Sequence, residues 1–292
     1  MEHIPWIEKT ESGTPLFSDA LLKGQDYARS DVVAFVNSDI ILFDDFVQAI
    51  EKTKTMHWKR YLLIGQRMDC DFTRSIDFSN SCWQTDIRNE IERSATLHPP
   101  TGKDYFIFPK GTYEKIPPFA IGRMGFDCWM VSASIMKGFP VADMTDGIFA
   151  VHQNHDYRHF MDDANDNIEG YPEVKRNRLL MEPYTAAHVC SQTVHATWML
   201  KDGTLKRRFS FCGALLKLFA HVIVFNTHSA CYDMAKLLEM SREIKLFSFW
   251  ESVELNMPRG KTVKEKLAKF RLWKMIRDTK LGKIIRKFLN EL

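Results

Sequence analysis

The chain has 292 residues, of which 45% are hydrophobic and 26% charged, with a net charge of +3. Those are the values of an ordinary globular protein, long enough for one large domain or two small ones. No run approaches the roughly 20 apolar residues of a membrane span, and the longest candidate, 209–225, is broken by Lys217 and His221. Residues 1–6 carry no signal-peptide pattern. The six cysteines form no Cys-x-x-Cys pair, which argues against a zinc knuckle or a thioredoxin-type site and fits a reducing, cytoplasmic compartment. The charge is uneven: 259–292 carry twelve Lys or Arg against Glu265, Asp278 and Glu291, a local +9 that leaves −6 on the residues before them.

Residues 1–16 read as a loop punctuated by Gly13-Thr14-Pro15. Leu16, Phe17, Ala20, Leu21, Leu22 and Tyr27 predict a helix over 16–28. It should pack on the next element, because short links favour neighbours. That element, Val32-Val33-Ala34-Phe35-Val36, is a continuous apolar run typical of a strand buried on both faces. The periodicity predicts a helix over 43–53, a strand over 61–65 and a polar helix over 84–96. A strand over 105–108, a helix from 126 to 136, a strand near Val141 and another over 148–151 follow. Strands alternating with helices indicate α/β organisation with a mostly parallel sheet flanked by helices. Polar clusters recur just after apolar strands, where ligands bind in such sheets. These are Asn37-Ser38-Asp39, Gln66-Arg67-Met68-Asp69, Pro109-Lys110-Gly111 and His152-Gln153-Asn154-His155-Asp156.

Several of these side chains carry chemistry. A carboxylate such as Asp39 at a strand end suits Mn²⁺ or Mg²⁺, which takes one or two protein carboxylates and fills its shell with phosphate and water. The alternative is that Asp39 caps the helix beginning near Phe43. Asp127 is a candidate general base at a helix start: flanking Phe126 and Trp129 would raise its proton affinity, while the helix N-terminus would stabilise its anion. A plain N-terminal cap is again the alternative. His152, His155, Asp156 and His159 form a cluster of metal-ligand types, or a surface loop with unrelated histidines. Arg67, Lys110 and Arg123 lie at strand ends, where they could clamp a diphosphate.

Taken together, Val36-Asn37-Ser38-Asp39-Ile40, His98-Pro99-Pro100, Asp104-Tyr105-Phe106-Ile107-Phe108-Pro109, Ile121-Gly122-Arg123 and the segment from Val151 to Tyr157 resemble a glycosyltransferase-like family with the GT-A fold, found in plants and microbes. The resemblance spans residues 10–205 and implies a GT-A-like domain over 1–205; beyond it the residue pattern alone predicts a helical region over 206–292. It implies a nucleotide-sugar donor, a carbohydrate or glycoconjugate acceptor, and Mn²⁺ or Mg²⁺ held by Asp39 with His152 or His155. Asn37 and Ser38 belong to the donor-site triplet, with Asn37 in place of the family's first aspartate. Asp127 stands at the acceptor-activating base, where relatives read Trp-Asp-Asn-Trp and this chain reads Phe126-Asp127-Cys128-Trp129. The implied activity is metal-dependent sugar transfer, inverting because one base serves a direct displacement, in polysaccharide or glycoconjugate synthesis.

GT-A domains spend about three βα units of roughly 30 residues each before the metal motif, whereas 36 residues precede Asn37 here. The expectation is an N-terminally shortened sheet, an exposed apolar edge and weak donor binding. Two further readings are a non-catalytic relative acting as a binding or scaffold protein, and a metal-dependent hydrolase built on His152, His155 and Asp156. In the tail, Leu267, Phe270, Trp273, Ile276, Leu281, Ile284, Ile285 and Phe288 form an apolar stripe opposite a basic face. Such a helix suits an anionic membrane surface, at the inner face of a membrane for a cytoplasmic protein; docking on the domain is the alternative. Nucleic acid is not the expected partner, since the aromatic residues lie within the apolar stripe.

Overall fold

The structure, a computed structural model, describes residues 3–72, 74–154, 171–181 and 191–208. All of them belong to the first of two compact units, Met1–Glu239 and Met240–Leu292. His155, Asp156, His159, the apolar stretch 209–225 and the basic tail 259–292 lie outside the described residues.

The helices are α1 (Phe17–Tyr27), α2 (Asp45–Lys54), α3 (Trp83–Ser94), α4 (Phe126–Met136) and α5 (Pro172–Met181). The strands are β1 (Val32–Val36), β2 (Ile40–Ile41), β3 (Leu62–Ile64), β4 (Met68–Cys70), β5 (Thr96–Leu97), β6 (Tyr105–Pro109), β7 (Val141–Asp143), β8 (Val151–Gln153), β9 (Trp198–Lys201) and β10 (Thr204–Arg207). They form a six-stranded sheet of order β1-β6-β3-β7-β9-β10 and a four-stranded sheet of order β2-β8-β4-β5. The α/β class is as the periodicity predicts.

Strand direction corrects the expectation of a mostly parallel sheet. In the large sheet β3–β7 and β7–β9 are parallel, whereas β1–β6, β6–β3 and β9–β10 are antiparallel. The reason is the path of the chain. After β3 it passes at once into β4 of the small sheet, crosses α3 and returns through β5. It therefore re-enters the large sheet at the edge where β1 and β3 end, and β6 must run backwards. A continuous apolar run says nothing of direction, and the expected burial of β1 on both faces is corrected as well: it is the end strand, half-buried, with Ala34 exposed.

The layers follow from the alternation of side chains along a strand. Tyr105 and Ile107 of β6 face a core with Leu63, Ala142 and, from α2, Ala49, Phe46 and Ile50. On the opposite face Phe106 meets Phe126 of α4 at 6.0 Å, and Phe126 stacks on Phe17 of α1 at 4.5 Å. Helix α4 is apolar on nearly every side: Trp129, Met130, Val131 and Ile135 are fully buried, each contributing about 1.5–3 kcal/mol on the usual transfer scale. Its buried hydroxyls are satisfied, Ser132 donating to Cys128 O and Ser134 to Met130 O.

Helix α5 braces the segment that leads into α4. The Ala120 amide donates to Asn177 Oδ1, and Asn177 Nδ2 donates to Ala120 O and Met124 O. Glu173 accepts from the Thr10 and Thr14 hydroxyls and pairs with Arg123 Nε at 3.1 Å. At the other end of the large sheet, Asp202 and Gly203, both with positive φ, close the β9–β10 hairpin. That is the two-residue turn an Asp-Gly pair favours. Lys206 and Arg207 are thus strand residues of this sheet, so a boundary after 205 would cut the hairpin. No helix among the described residues is long and apolar enough to cross a membrane.

Candidate functional site

The small sheet stands over the edge of the large sheet where β1, β3 and β7 end and β6 begins. Its alternation sets the chemistry. Ile41, Met68, Cys70 and Val151 point into the core against α3, with Ile87 and Ile91. Asp69, between Met68 and Cys70, and His152, next to Val151, therefore take the opposite face, and the register sets them side by side. Asp39, just before β2, and His98, just after β5, extend the row.

Carboxylate and imidazole alternate along it. Asp39 Oδ2 lies 3.3 Å from His152 Nε2, and His152 Nδ1 lies 3.4 Å from Asp69 Oδ1. His98 Nδ1 lies 2.5 Å from Asp69 Oδ2. Burial works against the Asp69 charge, but His98 and Arg67 outweigh it and hold the carboxyl below its usual range. Helix α2 begins at Asp45, with Asp44 at the cap position, so Asp39 does not cap it and faces His152 instead.

A second set of contacts closes the row into a ring. Arg67 Nε donates to Asp69 Oδ1 at 2.8 Å and its Nη1 to Asp104 Oδ2 at 2.6 Å. Asn37 Nδ2 donates to Asp104 Oδ1 at 2.6 Å, and the Asn37 amide to Asp104 O at 2.9 Å. Asn37 is thus the hydrogen-bond donor that fixes Asp104, a task an aspartate cannot perform when ionised. Gln66 Nε2 donates to His98 O, and Gly102 lies so close to the His98 ring that a Cβ there would come within 2.1 Å of Cδ2.

Lys103 and Asp127 continue the site. Lys103 precedes Asp104 at the start of β6; its side chain is 1% exposed and its Nζ lies 3.1 Å from Asp127 Oδ2. Asp127 is the second residue of α4 and a quarter exposed. Burial would push its carboxyl up, but Lys103 and the Cys128 and Gly125 amides outweigh burial and hold it below the usual value. The expected rise from aromatic walls is corrected: Phe126 and Trp129 are buried in the core against Phe17 and Phe119. The Cys128 thiol is pushed up to about 11 by burial and by Asp127, so it is no thiolate nucleophile at neutral pH.

His195 lies in a 3-10 turn (Thr193–His195) docked on the same loop, where Thr193 N donates to Pro100 O. Burial, then Lys103, then Arg208, bring it down to about 4. The imidazole is neutral, and its Nδ1 accepts the Gln192 amide at 3.0 Å.

Of the residues expected at the site, Asn37, Asp39, Arg67 and His152 join one network, and Asp127 reaches it through Lys103. Ser38 is exposed at the turn between β1 and β2. The Arg67 guanidinium is already engaged by two carboxylates, which argues against its serving as a diphosphate clamp. Lys110 is not brought to the site. It follows the last residue of β6, its amide donates to Asp31 O and its Nζ to Ala28 O. That is the opposite edge of the sheet, because β6 runs backwards. Arg123 pairs with Glu173, and His155 lies outside the described residues. Sequence reasoning missed His98, Lys103, Asp104 and His195, and did not give Asp69 a role. The alternation Met68-Asp69-Cys70 carried a signal for Asp69; strand direction hid Lys103 and Asp104.

Among the described residues no group of three or more His, Cys, Asp or Glu side chains is placed to hold a metal ion. Asp39 and His152 alone fit as neighbouring ligands, since two donors about 2.1 Å from an octahedral cation stand about 3 Å apart. Comparison with known proteins gives no match to a family model, a curated protein or a solved structure.

Two consequences are measurable. Asn37→Asp sets a carboxylate against Asp104, so urea denaturation at pH 7 should show a loss of about 1–3 kcal/mol. Because one of the two carboxyls then has a raised pKa in the folded state, the loss should shrink as pH falls and that group protonates. His195 has a folded-state pKa of about 4, below the roughly 6.5 of an unfolded histidine. The unfolded chain binds the proton first, so stability falls as pH drops from about 6.5 to about 4, by roughly 3 kcal/mol. His195→Gln should flatten that part of the stability–pH curve.

Proposed function

We propose that the chain is a metal-dependent glycosyltransferase of GT-A-like fold. It would move a sugar from a nucleoside-diphosphate donor to a hydroxyl of a carbohydrate or glycoconjugate acceptor. The observation that carries this reading is the meeting of Asp39 and His152 at 3.3 Å, on the sheet edge that also leads to Asp127. Asp39 and His152 would hold Mn²⁺ or Mg²⁺, which supplies Lewis-acid stabilisation of charge on the departing diphosphate. Asp69 Oδ1 lies 3.4 Å from Nδ1 on the far side of the His152 ring, where carboxylates stand behind metal-binding histidines. Asn37 and Arg67 fix Asp104 and Asp69, and with them the floor of the site. Asp127 takes the acceptor proton while the acceptor oxygen attacks the anomeric carbon from the face opposite the diphosphate, which gives inversion.

Among the described residues β1 ends the sheet and pairs only with β6, so no strand beside it supplies a nucleoside pocket. This supports weak donor binding. Association of 259–292 with an anionic membrane at its cytoplasmic face rests on sequence alone.

A binding or scaffold role is the second reading, favoured by the two-donor cation site and by an Arg67 already spent on Asp69 and Asp104. The hydrolase reading depends on His155 and Asp156, outside the described residues.

A panel of nucleotide sugars with Mn²⁺ and mixed oligosaccharide acceptors tests the proposal. Transfer should require the cation and fall at least 100-fold in Asp39→Asn, with inverted anomeric configuration by NMR. Transfer undiminished by chelator and by Asp39→Asn would reject the cation site, and no transfer from any donor would favour the scaffold reading.

A further inference from the structure

A lysine is almost never fully buried unless it is paired, and burying its ammonium without a counter-ion costs several kcal/mol. Lys103 is such a lysine. Its Nζ donates to Thr101 O at 2.8 Å and faces Asp127 Oδ2 at 3.1 Å. The groups around the pair are few. Asp127 and Cys128 face it from α4, His195 from the 3-10 turn with Arg208 behind it, and Asp104 follows it in the loop. His195 is neutral, so it neither repels Lys103 with a full charge nor competes for the carboxylate.

The geometry points to Lys103 as the positioning residue of Asp127: it grips the carboxylate by Oδ2 and leaves Oδ1 directed to the acceptor hydroxyl. This rests on the transfer reading above. Oδ1 receives a long contact, 3.4 Å, from the Gly125 amide, the Cys128 amide also donates to the carboxyl, and the Cys128 thiol lies 3.7 Å from Oδ2. With Oδ2 engaged, the side chain is confined to one rotamer, and its second oxygen is the one left to act. In the reaction the acceptor O–H proton passes to Oδ1 while the oxygen bonds to the anomeric carbon. The bond from that carbon to the diphosphate oxygen breaks, and its electron pair leaves with the diphosphate.

The loop that delivers Lys103 also carries His98, bonded to Asp69, and Asp104, bonded to Arg67 and Asn37. One seven-residue segment, 98–104, therefore holds both Asp69, the carboxylate behind His152, and the base. A shift of this loop displaces both together.

Carboxyl ¹³C NMR on the full chain tests the role, with Asp127→Asn to assign the signal. In the wild type Asp127 should titrate below the ordinary aspartate value of about 3.9. Lys103→Met should raise its midpoint by about one pH unit or more, and Lys103→Arg should return most of the shift. The acid limb of the transfer rate should move with it. An unmoved Asp127 signal in folded Lys103→Met overturns the inference whatever the activity. So does a wild-type midpoint at or above the ordinary value, which needs no variant to fold. An Asp127 signal that shifts as expected, in a protein that transfers no sugar, overturns the transfer reading alone.

Discussion

The site depends on one guanidinium. Arg67 lies just before β4 and is held between Asp69 in β4 and Asp104 at the start of β6, with its side chain 11% exposed. Removing one partner of such a buried pair typically costs about 3–5 kcal/mol, because the other charge is stranded. Its value is less in net stability than in what it specifies. Asp69 is fixed against His152, and Asp104 against Asn37, so the end of the large sheet and the face of the small sheet are locked to one another. Asn37 belongs to the same logic. Its side-chain amide donates to Asp104, which an ionised carboxylate in that place could not do.

The fold places acidic and basic groups by two simple devices. Alternation in the small sheet sends Met68, Cys70 and Val151 into the core and Asp69 and His152 to the other face. The reversal of β6 brings the residues before that strand, Lys103 and Asp104, to the working edge and sends Lys110 away from it. The five residues of β1 separate the two edges by roughly 17 Å. A loop of seven residues between β5 and β6 then joins both devices, stiffened by Pro99 and Pro100 and folded tightly over His98 at Gly102.

These devices also explain what was legible in the sequence. Helices α1, α2, α3 and α4 and strands β1, β3, β6 and β7 stand close to where periodicity puts them, because each buries one face or both. Asp39, His152 and Asp127 could be singled out because polar residues abut apolar runs there. Direction could not be read, since a buried strand looks the same run either way, and this hid Lys103 and Asp104 while promoting Lys110. Buried partners were also invisible: a lysine beside Asp127 reverses the effect of burial on its carboxyl. The Asp202-Gly203 turn was a readable signal, and it extends the strand region past residue 205.

The central claim is that a cation held at Asp39 and His152 lies on the same edge as Lys103 and Asp127. Paramagnetic broadening by Mn²⁺ in ¹⁵N-labelled protein measures it directly. The account predicts that amide signals at 37–39, 69, 98, 101–104, 127–128 and 152 broaden first. The effect should then fade along β1 and β6 and be least at Asp31 and Lys110. Broadening centred on Lys110, or signals of Asp39 and His152 that persist while others vanish, would contradict it.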